Sequence, residues 1–258
     1  MVSMEYEENA KRADYNRPLK CIEVVAGESS VVLNNGAINC TEKRALVWLD
    51  YDGMLDASVV ADLRTVCGSV QVGSFVIATV NAIRRFYLTS DETGNLNLEK
   101  SLRKTLGVMV PDKLPESLDT RRGFSPVIAA MMLSYCEHTV RKASGNERFF
   151  LPIFNFSYAD GASMVTIGGA VCDGPFCKAV RETGIFDEAY VSGEQQFAID
   201  LPVLTRRERI TLNRLLPTRP HLVAADAEAN LSFTLSQNQC RAYSDFYRFY
   251  PNYAELFD

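Results

Sequence analysis

A chain of 258 residues, 47% of them hydrophobic and 23% charged, is long enough for one large domain with a proper core and too apolar for extended disorder. Its net charge of −5 gives no general attraction to phosphate backbones, which argues against nucleic acid as the main partner. No apolar run approaches the ~20 residues that span a bilayer, and the first residues are polar, so neither a spanning helix nor a signal peptide is expected.

The seven cysteines are odd in number and widely spaced. Even the closest pair, Cys172 and Cys177, makes no CxxC and has no histidine nearby. Free thiols in a cytoplasmic protein are expected, with no metal site.

In chain order, Met1 to Glu5 reads as the tail of a short strand ending in an acid. Glu7 to Tyr15 has the composition of a helix, ended by Asn16-Arg17-Pro18 because the residue before proline is pushed out of the helical region. Cys21 to Val25 is a strand, Ala26-Gly27-Glu28 a turn, and Ser29 to Leu33 a short helix or extended piece. Next, the apolar run Ala45 to Leu49 stops at Asp50, Asp52 and Gly53. A helical pattern covers Ala57 to Cys67, and a second apolar run, Ser74 to Val80, ends at Asn81. Strand, acidic loop, helix and strand make a βαβ unit. Ligands of open α/β sheets bind at the carboxyl ends of the strands, so a site is expected at Asp50, Asp52 and Asn81.

A helical stretch then runs from Asn81 to Tyr87, a loop from Ser90 to Asn95, and an amphipathic helix from Leu96 to Leu106. Phe124 to Ala143 is a long helix, with Ser125 as its cap, Pro126 in its first turn and Gly145 at its end. Arg148 to Asp160 and Ala162 to Val171 are β-rich runs joined by an Asp-Gly turn, a strong hairpin signal. Phe176 to Thr183 reads as a short helix and Gln196 to Leu201 as a strand. Thr205 to Leu216 is a helix opened by a capping box of Thr205 and Glu208. Leu231 to Leu235 is read as extended, and the aromatic stretch Ser244 to Phe257 as packing back on the body. The expected organisation is an α/β domain over residues 1–175 and a mixed extension over 176–258 packed on it.

With these residues in view, the chain resembles the Rossmann-like S-adenosylmethionine-dependent methyltransferases from their second strand onward. Glu5, in VSME, matches the strand-end acid that hydrogen-bonds the cofactor ribose. Asp50, in LVWLDYDG, matches the residue beside the transferred methyl group. Gly73-Ser74 precedes FVIATVN as a glycine turn precedes the family's fifth strand, and Arg148 to Val171 supplies the antiparallel pair. The NRP, VWLDYDG and YADGASM segments are similar to a bacterial group of O-methyltransferases. The resemblance implies a mostly parallel sheet with an antiparallel hairpin at one edge. It also implies S-adenosylmethionine as cofactor and methyl transfer to an oxygen of a small-molecule acceptor. The family's first strand and glycine-rich loop have no counterpart here. The chain is therefore read as N-terminally truncated and, as given, without a complete cofactor site; a non-catalytic scaffold is the alternative.

Asp50 and Asp52 share a face in extended geometry. Asp50 is a candidate general base for a hydroxyl proton, or one arm of a divalent cation site. The plainer alternative has one acid capping the next helix and the other solvated. Thr79-Val80-Asn81 lacks the second acid that a metal pair would need, so no metal is assigned. Asn81 and Tyr158 are placed at the substrate pocket, with Asp160 beside Tyr158 at the hairpin tip. His138 and His221 form no triad pattern, and no GxSxG or HExxH is present. Arg206, Arg207 and Arg209, with Arg214 and Arg219 near, are read as a solvated basic face rather than a nucleic-acid patch.

Overall fold

The computed structural model describes residues 1–36, 38, 40–88, 97–120, 123–159, 161–188, 191–218 and 221–250. The chain divides into two units, Met1–Phe197 and Ala198–Asp258.

The first unit opens with β1 (Val2–Glu5), α1 (Glu7–Asn16), β2 (Glu23–Ala26) and α2 (Ser29–Asn34). The two strands pair in parallel from Val2↔Glu23 to Glu5↔Ala26 and form a sheet of their own. The chain continues with β3 (Leu46–Met54), α3 (Ala57–Ser69) and β4 (Phe75–Asn81). A 3₁₀ turn at Arg84–Tyr87 leads to α4 (Leu98–Leu106) and the long α5 (Phe124–Ala143). The hairpin β5 (Phe149–Ala159) and β6 (Ser163–Cys172), then α6 (Gly174–Glu182) and the two-residue β7 (Phe197–Ala198), follow.

The larger sheet has the order β3-β4-β6-β5-β7. β3 and β4 are parallel, and β6 is antiparallel to both β4 and β5. Strands β3, β4 and β5 therefore run one way and β6 the other. This is the expected mostly parallel sheet with a hairpin at one side, the reversed strand being the inner of the two.

One face of this sheet builds the main core. Leu49, Val76, Ala78, Val80, Val165, Ile167 and Val171 meet Val59, Leu63 and Val66 of α3 and Ile128, Met132 and Cys136 of α5. Near-continuous apolar runs in β4 and β6 fit strands buried on both faces. On the other face Leu151, Ile153, Ala170 and Cys172 pack with Phe75, Phe154 and α6 side chains Phe176 and Val180. Gly168 has the ring of Phe154 lying on it: a Cβ there would meet Phe154 Cζ at 2.3 Å. Farther along that face, Leu46 and Trp48 of β3 stand 70% and 55% exposed.

Several local expectations change. α5 is capped by Gly123, and Ser125, inside its first turn, donates instead to Gln196 Oε1 at 3.2 Å. The reversal after α5 uses two left-handed residues, Gly145 and Asn146. Residues 90–95 and Leu96 lie outside the described residues; the helix α4 begins at Leu98, with Asn97 accepting from the Lys100 N–H.

The second unit holds α7 (Arg206–Asn213), α8 (Ala224–Leu231) and α9 (Gln237–Phe246). The capping box of Thr205 and Glu208 forms as expected, and Ser236 with Gln239 makes another on α9. Leu212, Leu222, Ala227, Leu235, Cys240 and Tyr243 form its core. Tyr243 is buried and donates to Asn213 Oδ1 at 2.7 Å. Leu231 ends a helix rather than opening an extended piece, because Ser232 adopts a left-handed φ of 65° and reverses the chain.

Candidate functional site

Parallel strands bring their carboxyl ends to one rim of their own sheet, here β1 and β2 in one sheet and β3 and β4 in the other. Glu5 is the last residue of β1 and is half-buried. The Gly27 N–H donates to the Glu5 carbonyl oxygen at 2.8 Å, which ties this strand end to the turn after β2. Gly27 has a φ of +137°, and a Cβ there would meet Val32 Cγ2 at 3.1 Å, so the turn is built for glycine.

The sequence predicts a strand stopping at Asp50. In the structure β3 runs on to Met54, but its regular register with β4 ends at Asp50↔Thr79 and resumes only at Met54↔Asn81. The two acids thus sit where the ladder is interrupted. Leu46, Trp48, Asp50 and Asp52 are exposed, while Val47, Leu49 and Tyr51 turn inward. Neither acid caps the next helix. That task falls to Asp56, which accepts from the Ser58 and Val59 N–H groups. Asp50 and Asp52 are left facing solvent on one side of the strand.

Asn81 ends β4 and is only 5% exposed. Its Oδ1 accepts from the Ile83 N–H at 2.8 Å, which fixes the turn out of the strand. Its carbonyl oxygen accepts from the Tyr87 hydroxyl at 2.6 Å, and that hydroxyl accepts from the Leu55 N–H at 2.8 Å. Tyr87 therefore clamps the ends of β3 and β4 together, and burial pushes its hydroxyl pKa up. The Asn81 side chain is engaged in turn geometry.

Tyr158 ends a chain of hydroxyls across four strands. Trp48 Nε1–H donates to Thr79 Oγ1 at 3.1 Å, Thr79 and Thr166 Oγ1 lie 3.0 Å apart, and Thr166 donates to the Tyr158 oxygen at 3.3 Å. A hydroxyl has one proton to give, so Thr166 giving its own to Tyr158 obliges Thr79 to donate to Thr166. The donations run in one direction and leave the Tyr158 O–H hydrogen for a further acceptor. Trp48 and Asp50 stand on the same side of β3, so Tyr158 is linked to the strand that carries the acids. Asp160 lies outside the described residues.

Beneath this rim is a feature that the sequence reading passes over. Asp62 of α3 is 1% exposed, and its Oδ2 accepts from Ser29 Oγ at 2.5 Å and from the Tyr51 hydroxyl at 2.6 Å. Burial, then Asp62, pushes the Tyr51 pKa up. The signal was in the spacing: Val59, Asp62, Leu63 and Val66 share one helical stripe, and an acid inside such a stripe is out of place.

The remaining candidates lie on other elements. His138 is exposed on α5, and His221 pairs with Asp245 at 3.4 Å in the second unit. Arg206, Arg207 and Arg214 are exposed, Arg209 lies over the Tyr250 ring at 5.5 Å, and Arg219 is outside the described residues. Among the described residues no three His, Cys, Asp or Glu side chains gather to hold a metal ion. Nor is any described helix long and apolar enough to cross a membrane.

Residues 1–257 match the family described as "Putative O-methyltransferase". The chain belongs to this family. The α/β element order, parallel pairs and hairpin expected from the resemblance are those this O-methyltransferase family member has. The curated proteins include no match. Among solved structures, LepI in complex with SAH and a substrate analogue and LepI with SAM each overlap with a TM-score of 0.32 at 10% identity. PigF with SAH overlaps with a TM-score of 0.30 at 12% identity. Each overlap covers 66% of this family member but only 36% of the LepI chain and 47% of the PigF chain. The chain therefore spans less than half the length of either, and such overlaps carry no argument about its activity.

Proposed function

We propose that this protein transfers the methyl group of S-adenosylmethionine to an oxygen of a small-molecule acceptor. The observation that carries this reading is the family match over residues 1–257. The rim supports it. Glu5 offers a half-buried carboxylate at a parallel strand end, next to a turn that only glycine makes easily. A carboxylate accepts hydrogen bonds and donates none, which suits a vicinal diol such as the ribose of the cofactor.

When bound, S-adenosylmethionine supplies an electrophilic methyl carbon on a sulfonium. The chain's own residues then have three tasks. Glu5 would hold the ribose hydroxyls of the bound cofactor at the end of β1. Asp50, exposed at the interruption of the β3 ladder, takes the proton of the acceptor hydroxyl as its oxygen becomes the nucleophile. Tyr158, with its O–H hydrogen free, donates to a second polar atom of the acceptor and orients it. Asp52 shares the face of Asp50 and adds a second carboxylate beside the acceptor. Asn81 contributes through the backbone turn at the strand end. Proximity and in-line orientation provide most of the rate, so a sparse set of polar groups suffices.

The test is transfer of label from S-adenosyl-[methyl-³H]methionine to a panel of small phenols, alcohols, carboxylic acids, amines and thiols, with catechol as the reference acceptor. Label in the organic extract that depends on the protein is the expected result. Cofactor binding without label transfer to any oxygen acceptor, or transfer only to nitrogen or sulfur acceptors, would count against the oxygen assignment.

A further inference from the structure

Glu5 and Asp50 belong to separate sheets. Among the described residues no backbone ladder joins β1–β2 to β3–β4, so the distance between the cofactor-side acid and the acceptor-side acid is not set by strand pairing. Side chains must set it. Packing of Met4 and Leu33 against the main core gives a non-directional part of that join. A directional part is Asp62.

The Asp62 carboxylate touches both halves at once. Ser29, the first residue of α2, follows directly on the Gly27-Glu28 turn, and Gly27 is bonded to the Glu5 carbonyl. Tyr51 sits in β3 between Asp50 and Asp52, with its side chain turned inward. Both hydroxyls donate to the same oxygen, Asp62 Oδ2. The other oxygen, Oδ1, is buried with no partner among the described residues. A buried carboxylate with half its acceptor capacity unused is costly. An apolar side chain in the stripe of Val59, Leu63 and Val66 would avoid that cost, so stability alone does not account for an acid here. What the acid provides, and a leucine would not, is a fixed angle between α2 and β3.

Resting on the methyl-transfer reading above, we infer that Asp62 is a positioning residue: through Ser29 and Tyr51 it pins the β1–β2 pair, and with it Glu5, to the strand that carries Asp50. Asp62 itself touches neither cofactor nor acceptor.

The test combines calorimetric titration with S-adenosylhomocysteine and peptide-level hydrogen exchange on the whole chain. Three variants are compared well below their melting temperatures: Ser29→Ala, which removes one donor; Asp62→Leu, which removes the acceptor; and Asp62→Asn, which keeps an acceptor oxygen for both hydroxyls. Ser29→Ala and Asp62→Leu are expected to weaken S-adenosylhomocysteine about tenfold and to speed amide exchange across β1 and the 26–29 turn. Asp62→Asn is expected to restore both to within about twofold of the parent. Ser29→Ala falls short of unfolding even if Asp62→Leu does not, which keeps the comparison decisive. A lowered melting temperature with unchanged affinity and unchanged exchange at β1 would mean that Asp62 is a structural residue only, and would overturn the inference. Absence of binding in the parent protein would instead sink the methyl-transfer reading, and the exchange arm alone would then decide whether Asp62 pins the two sheets.

Discussion

Tyr87 joins the carboxyl ends of two parallel strands with one hydroxyl, and that hydroxyl is only 2% exposed with its residue. Tyr87→Phe leaves the Leu55 N–H and the Asn81 carbonyl without this partner. A loss of about 1–3 kcal/mol in unfolding free energy is expected, seen as a lower urea midpoint at unchanged slope. Asp50 is the opposite kind of residue. It is exposed and unbonded among the described residues, so Asp50→Asn should leave the melting temperature where it is while lowering kcat for oxygen methylation roughly 10²- to 10³-fold. Glu5→Gln should leave the fold intact and weaken S-adenosylmethionine about tenfold, as loss of charge-assisted bonds to a diol does. Asp50, Asp52 and Glu5 could be picked from sequence because an acid closing an apolar run is visible in one dimension. Asp62 shows in the sequence only as an acid inside an apolar stripe, and the pairings of Tyr87 with Leu55 and of Asp62 with Ser29 do not show, since those partners lie 32 and 33 residues away.

At the level of elements, β3 is where the sequence misleads. Acids and a glycine after an apolar run read as a loop, yet the chain remains extended to Met54 with an irregular register opposite β4. An edge strand tolerates polar residues because one side of it faces water. The capping of α5 misled in the same way: Ser125 has the right chemistry for a cap but lies two residues too late, inside the first turn of the helix. The hairpin was legible because an Asp-Gly turn between alternating apolar runs leaves few alternatives. What could not be read was that β6 would insert between β4 and β5, with Gly168 opposite Phe154. Gly168→Ala would put a methyl group 2.3 Å from the Phe154 ring carbon. Displacing that ring also disturbs its stack on Phe156, 4.7 Å away between centroids. A destabilisation of about 1–3 kcal/mol follows, measurable by thermal unfolding, and Gly168→Ala with Phe154→Leu should recover part of it.

Among the described residues, burial raises the pKa of several thiols and phenols. Burial pushes the Cys172 thiol from 9.0 up to about 12 in the first unit, and the Tyr243 phenol from 10.0 up to about 12 in the second. In the unfolded chain these groups lose their protons first, so the folded state binds more protons between those values and stability falls as pH rises. Unfolding midpoints should be flat from pH 7 to about 8.5 and decline from about 9 toward 12, in both units; Cys172→Ala should blunt the decline in the first. The α/β class and the family resemblance were legible because element order survives in the spacing of apolar runs. The boundary between units at Phe197 and Ala198 was not, since no proline- or glycine-rich linker marks it. In the proposed function the β1–β2 end of the first unit holds S-adenosylmethionine. Isothermal titration of S-adenosylmethionine into the protein tests it most directly. One saturable site, weakened about tenfold by Glu5→Gln, is the predicted result; no heat of binding, or a site indifferent to Glu5, would contradict it.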